Sequence, residues 1–228
     1  MVKLLLSKKF KNLSDISPSI EYVEDLDFNN ISNEERILGQ GLNGFVKQLT
    51  KAFPKNEEFT LEEKEYVHKK NNKNVIVTKP KQLETNTFES QVFLNSEMAE
   101  IEDHLTGYHI PAMVITEASR QMMISVIERF YSEFQSVGEC YFIINNIDSN
   151  FDNFLFPWQV SLTFTINSML KLKNCIKYES TSIFKQNGEV CSQICINFSV
   201  FNKKSLLKLE KHYAQASLNK YINEATNK

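Results

Sequence analysis

Glu117, Arg120 and Gln121 are three polar residues out of place in a run that is strongly apolar. Spacings of three and four place them on one face of a helix. Around them, Met113, Val114, Ile115, Ala118, Met122, Met123, Ile124, Val126 and Ile127 give that helix almost no polar side, so it is expected to be buried. A carboxylate in a core is unfavourable unless it is paired, and Arg120 is spaced to pair with Glu117. Such a pair either locks the packing of the helix or serves as a proton-transfer centre beside a bound substrate.

The segment before the helix, Asp103 to Pro111, carries His104, Gly107 and His109. Backbone N–H groups at a helix N-terminus attract negative charge. A thioester carbonyl docked there would have its developing oxyanion stabilised, with Glu117 as the acid or base. His104 is the second catalytic candidate and His109 a substrate-binding one. A loop histidine serves structure just as readily.

These residues need a scaffold. Pro111 suits a first helical turn, and the helix is expected from Ala112 to Phe134, reaching water at Glu128, Arg129 and Glu133. The rest of the second half reads as antiparallel sheet. Phe88, Ser90, Val92 and Leu94 share one strand face, and Val75 to Thr78 is a short β-branched run. Val160, Leu162, Phe164 and Ile166 alternate with polar residues, as do Val190, Ser192, Ile194, Ile196, Phe198 and Val200. Asn187-Gly188 between two such runs is a hairpin signal. One buried helix with an antiparallel sheet predicts an α+β fold, a sheet wrapped around a helix. Residues 1–60 read as an accessory segment with a helix from Leu42 to Phe53 that Pro54 ends, 61–204 as the main domain, and 205–228 as a surface helix fraying into a polar tail.

Composition limits the function classes. With 6 Gly and 17 Phe, the 228-residue chain favours a large core over glycine-rich phosphate loops. A net charge of −2 gives no support for nucleic-acid binding. Cys140, Cys175, Cys191 and Cys195 form no Cys-x-x-Cys pair, although Cys191 and Cys195 share a strand face, so reduced core thiols are expected rather than a metal site. No stretch is long enough to span a bilayer, and a cytoplasmic protein without a cofactor is expected.

The string Pro111 to Gln121 resembles the Glu-x-x-Arg-Gln signature of A-factor biosynthesis (AfsA-like) hotdog proteins. Val67-His68-Lys69, followed by Asn74 to Thr78, resembles that family's Val-His-Lys and following strand. The resemblance covers residues 65–200. It implies a hotdog fold and transfer of a β-ketoacyl chain from acyl carrier protein or CoA to a hydroxyl acceptor such as dihydroxyacetone phosphate, in secondary metabolism. Glu117 would be the base and Arg120 would orient it or meet the acceptor's phosphate. His68, Lys69, Gln121, Gly107 and His109 would line the substrate site. The family's usual chain holds two hotdog domains and this one has room for one, which implies a homodimer. His104 to Gly107 followed by Pro111 also resembles the entrance of acyl carrier protein dehydratases, with Thr106 and Ala112 replacing a proline and a glycine. Dehydration, thioester hydrolysis and non-catalytic acyl binding are the alternatives.

Overall fold

The computed structural model describes residues 60–94, 98, 109–133, 136–157 and 160–226. The helix expected over 42–53 and the candidates His104 and Gly107 lie outside them. Six strands are present: β1 (Lys81–Glu84), β2 (Thr87–Val92), β3 (Cys140–Phe151), β4 (Val160–Lys171), β5 (Cys175–Gln186) and β6 (Glu189–Asn202). They form one antiparallel sheet in the order β1-β2-β4-β5-β6-β3. The expected alternation is obeyed in β2 and β4, where Phe88, Ser90, Val92, Val160, Leu162, Phe164 and Ile166 are all buried. Asn187 and Gly188 join β5 to β6 with φ of 53° and 82°, the left-handed pair that a tight hairpin requires.

The central helix α1 (Ala112–Val126) touches β2, β4 and β3. In the sheet order, β2 and β3 are four strand spacings apart, about 19 Å if the sheet were flat and nearly twice the ~10 Å width of a helix. The sheet must therefore curl around α1. Bulges supply the bend. One extra residue interrupts each long pairing: Asn145 in β3, Asn167 in β4 and Cys191 in β6. This is the hotdog arrangement, and its core is the apolar surface shared by α1 and the concave sheet face.

Several expectations need correction. The α-helix stops at Val126 and continues as a π-helical turn, Ile127–Tyr131, before Ser132 becomes extended. Met113 does not enter the core. It lies in the first turn and is 67% exposed. Glu128 does not emerge into water, for its side chain is fully buried. Pro111 is the N-cap rather than a first-turn residue, with φ −60° and ψ 144°. Val190 is exposed at the hairpin end of β6, beyond the extra residue Cys191. Helix α2 (Lys203–Thr226) follows β6 directly, and among its described side chains only Leu206 is buried. All four cysteines are free. Among the described residues no helix is long and apolar enough to cross a membrane.

The segment ahead of β1 is strapped to α1 by ions. Glu62, 1% exposed at its side chain, accepts from Arg129 Nε at 2.7 Å and Nη2 at 2.6 Å, and from the Ser125 hydroxyl. The Arg129 guanidinium also lies 3.6 Å from the Tyr66 ring centroid. Burial raises the Glu62 carboxyl's pKa, but the Arg129 and Ser125 hydrogen bonds outweigh it and hold it below the usual carboxylate range. Arg129→Ala would leave that carboxylate uncompensated, and we expect a loss of about 3–5 kcal/mol in denaturant unfolding. An unchanged unfolding midpoint would show the strap to be dispensable.

Candidate active site

Helix α1 and the π turn that continues it share a polar stripe: Glu117, Gln121 and Ser125 on the helix and Glu128 in the turn. Residues 11 apart return to nearly the same face at 3.6 residues per turn. The stripe faces the segment that holds Glu62, His68, Lys69 and Asn74 to Ile76.

Glu117 is the most heavily bonded group. Arg120 Nε meets Oε2 at 2.7 Å and Nη2 meets Oε1 at 2.9 Å, a two-pronged contact within one helical turn. Oε1 also takes Lys69 Nζ at 2.8 Å and Gln121 Nε2 at 2.9 Å. Burial would raise this carboxyl's pKa. The hydrogen bonds and charge of Arg120 prevail, helped by Lys69 and Gln121, and the value falls to about 2. At neutral pH Glu117 is therefore a firmly held anion and, while so clasped, a weak base. The clasp is not sealed: the side chains of Arg120 and Lys69 are 28% and 16% exposed. Both cations can reach a ligand at the surface.

Gln121 is fully buried. Its Nε2 donates to the Asn74 carbonyl at 2.7 Å as well as to Glu117, and its Oε1 accepts from the Ile76 N–H at 3.0 Å. The amide thus stands in for a neighbouring strand and fixes the backbone that follows Lys69.

The structure separates His68 from Glu117. Its Nε2 meets Glu128 Oε1 at 2.7 Å, near the far end of the helix, while the ring edge packs on Phe142. The backbone of His68 is left-handed, φ 53°, which a residue with a Cβ adopts only when the surroundings impose it. Glu128 Oε1 also accepts from the Gly138 N–H at 3.2 Å, and Oε2 has no partner among the described residues. Sequence reasoning missed Glu128, although its spacing from Glu117 and Gln121 was the available signal. His109 lies just before α1 with its ring 4.9 Å from Phe154, apart from the clasp. Burial, with a smaller contribution from Glu128, pushes the Cys140 thiol up to about 12, so it is no thiolate nucleophile at neutral pH. Among the described residues no group of three His, Cys, Asp or Glu could hold a metal ion.

The sequence model of the A-factor biosynthesis hotdog domain, AfsA, matches residues 54–202, well over half of the chain. The protein belongs to the A-factor biosynthesis hotdog family. Among solved structures it is similar to a hot-dog-like protein from Thermanaerovibrio acidaminovorans, at 9% identity and TM-score 0.43 over 56% of this chain and 89% of that one. A mutant thioesterase from Pseudomonas aeruginosa is similar at 7% identity and TM-score 0.38, over 55% of this chain and 81% of that one. No curated protein matches the sequence significantly. Within the A-factor hotdog family match fall both halves of the clasp, the Lys69 segment and the Glu117 helix.

The clasp makes a pH-dependent contribution to stability. Glu117 has a folded pKa of about 2 against 4.5 unperturbed. Its contribution is therefore complete above about pH 5 and is lost as pH falls toward 2, on the order of 3 kcal/mol in all. Glu117→Gln should unfold more easily than wild type at pH 7 and much more nearly like it at pH 2.5. Guanidinium titrations at both pH values read this directly, and a gap independent of pH would refute the assignment.

Proposed function

We propose that this A-factor-type hotdog protein is an acyl-thioester enzyme that passes an acyl chain to the hydroxyl of an acceptor bearing an anionic group. The observation that carries this reading is the clasp itself, a buried carboxylate held by two cations that both remain within reach of solvent. An acceptor phosphate, as in dihydroxyacetone phosphate, competes with Glu117 for Arg120 and Lys69. The planar guanidinium suits a phosphate in the same two-pronged way that it suits a carboxylate. Once those cations turn to the ligand, the interactions that depress the Glu117 pKa weaken and burial raises it toward a useful range.

Glu117 then takes the proton of the acceptor hydroxyl. The hydroxyl oxygen bonds to the acyl carbon, the carbon–sulfur bond breaks, and the departing thiolate receives the proton. Family membership supports acyl carrier protein or CoA as the thiol and a β-ketoacyl chain as the cargo. Gln121 keeps the helix and the Lys69 segment in register throughout.

Mass analysis of products from an acyl thioester and a phosphorylated acceptor tests the scheme. Glu117→Gln should fold and bind ligand but lose turnover by roughly 10²–10⁴-fold. Lys69→Met should raise KM for the phosphorylated acceptor far more than it lowers kcat. Wild-type turnover in Glu117→Gln, or equal use of an acceptor without an anionic group, would overturn the reading.

The same reading includes a homodimer. Strand β3 is a sheet edge of 12 residues with no described strand beyond it, the kind of edge that a second copy covers. Sedimentation should find a dimer at micromolar concentration, and a stable monomer would remove this element.

A further inference from the structure

The concave face of the sheet is longer than the helix that fills it. Strands β3 to β6 run for 12 to 14 residues each, about 40 Å. Helix α1 and its π turn end at Tyr131, about 30 Å from Ala112. Among the described residues the central helix does not continue over the inner sheet surface beyond Tyr131, and a cavity of about 610 Å³ remains. The start of α2, through Leu206 and Leu209, and the turn between β4 and β5 form its sides. It lies about 20 Å along the helix axis from Glu117 and shares no residue with the clasp.

Its deep wall is apolar except for one group. Cys140, Tyr178, Val200 and Leu206 are all buried, Tyr178 to 2% exposure. One face of the Tyr178 ring stacks on Phe198 at 5.1 Å, and Tyr131 meets it edge-on at 6.3 Å. The Tyr178 hydroxyl has no hydrogen bond to any described residue. By contrast, the Tyr131 hydroxyl is tied to the Thr85 carbonyl and Asn86 Oδ1, each at 2.9 Å. Tyr178 lines the cavity together with Cys140, Glu133 and Tyr131. Burial first, then those groups, pushes the phenol up to about 12, so it stays protonated and can donate to an acceptor. The hydroxyl makes no hydrogen bond to a described residue yet is not sealed from solvent, so a ligand acceptor would take the place of water there.

The mouth has the opposite character. Lys171, Lys173 and Glu133 line it, and Lys171 Nζ pairs with Glu133 at 2.6 Å. That leaves a net positive charge centred on Lys173. The volume falls within the range of small-molecule sites, about 300–1,000 Å³. With one ring face of Tyr178 stacked on Phe198, a ligand meets the hydroxyl and a mixed apolar wall that includes Ile176, Val200, Leu206 and Leu209, along which a flexible chain can lie.

We infer that this cavity is a second binding site, for a chain-like amphiphilic carboxylic acid with an oxygen at its inner end that accepts from Tyr178 and a carboxylate at Lys173. Titration calorimetry with ω-hydroxydecanoate, decanoate and decanol tests it on the intact chain. ω-Hydroxydecanoate should bind best. Tyr178→Phe should weaken it by about three- to tenfold, the worth of one hydrogen bond, and erase its advantage over decanoate. The same variant should melt no lower than wild type, because the hydroxyl makes no hydrogen bond to a described residue and the ring stack remains. Lys173→Ala should weaken both acids and leave decanol unchanged. Glu117→Gln should bind as wild type does, which separates this site from the proposed acyl-transfer centre. The inference is overturned if wild type binds none of the three at millimolar concentration, if Tyr178→Phe keeps the preference, or if Glu117→Gln loses the binding.

Discussion

Negative charge buried along one face of α1 is the constraint from which much of the architecture follows. Glu117 and Glu128 sit on a helix whose other faces are in the core, and neither can remain there unaccompanied. The segment ahead of β1 answers this need. It brings Lys69 to Glu117 and His68 to Glu128, and it places Glu62 against Arg129 of the same helix. Among its described residues, 60–80, that segment forms short 3-10 turns and two isolated β-bridges, one of them to Val92 of β2. Its path is set by ion pairs and by the Gln121 amide, and local strain at His68 is tolerated because several contacts on either side enforce it.

Much of this was legible in the sequence, for reasons that can be named. Glu117, Arg120 and Gln121 stand out because polar residues at helical spacing in an apolar run need partners, and the structure supplies them. Strands β2 and β4 were legible because one face is buried and the alternation is unbroken. What failed were judgements about direction. His68 and Lys69 are neighbours in sequence and were read toward one site, yet they reach carboxylates at opposite ends of the helix. Glu128 was read as solvent-facing because charge usually marks the emergence of a helix. The π turn and Gly138 instead give it a buried place. Met113 is apolar and so expected in the core, but in the first turn of α1 it stands exposed.

The curvature of the sheet was less legible still. Bulges at Asn145, Asn167 and Cys191 leave hardly any mark on the hydrophobic pattern, because each inserts a residue without a motif of its own. Their consequence is large. They let six strands close around a helix, and they turn the end of β4 away from the body, where Asn167 to Lys171 are exposed. A strand rises more than twice as far per residue as a helix. A sheet of 12- to 14-residue strands therefore outruns the helix inside it, and the leftover space becomes the cavity beneath Tyr178.

Stability and chemistry draw on the same donors at Glu117, and this limits how the site can work. The bonds that let a carboxylate sit against the core are the ones that hold its pKa near 2. A group bound so firmly cannot be both a structural anion and an effective base in one state of the protein. In the proposed reaction the two roles are separated by the ligand: an anionic acceptor recruits Arg120 and Lys69, and the carboxylate gains basicity only when the hydroxyl to be activated is present. Without acceptor, the clasp keeps the base weak, so a bound thioester is shielded from activated water. Gln121 makes this exchange possible, because its bonds to Asn74, Ile76 and Glu117 keep the scaffold in place when the cations move. Selectivity for transfer over hydrolysis would then arise from the electrostatics of a single buried carboxylate.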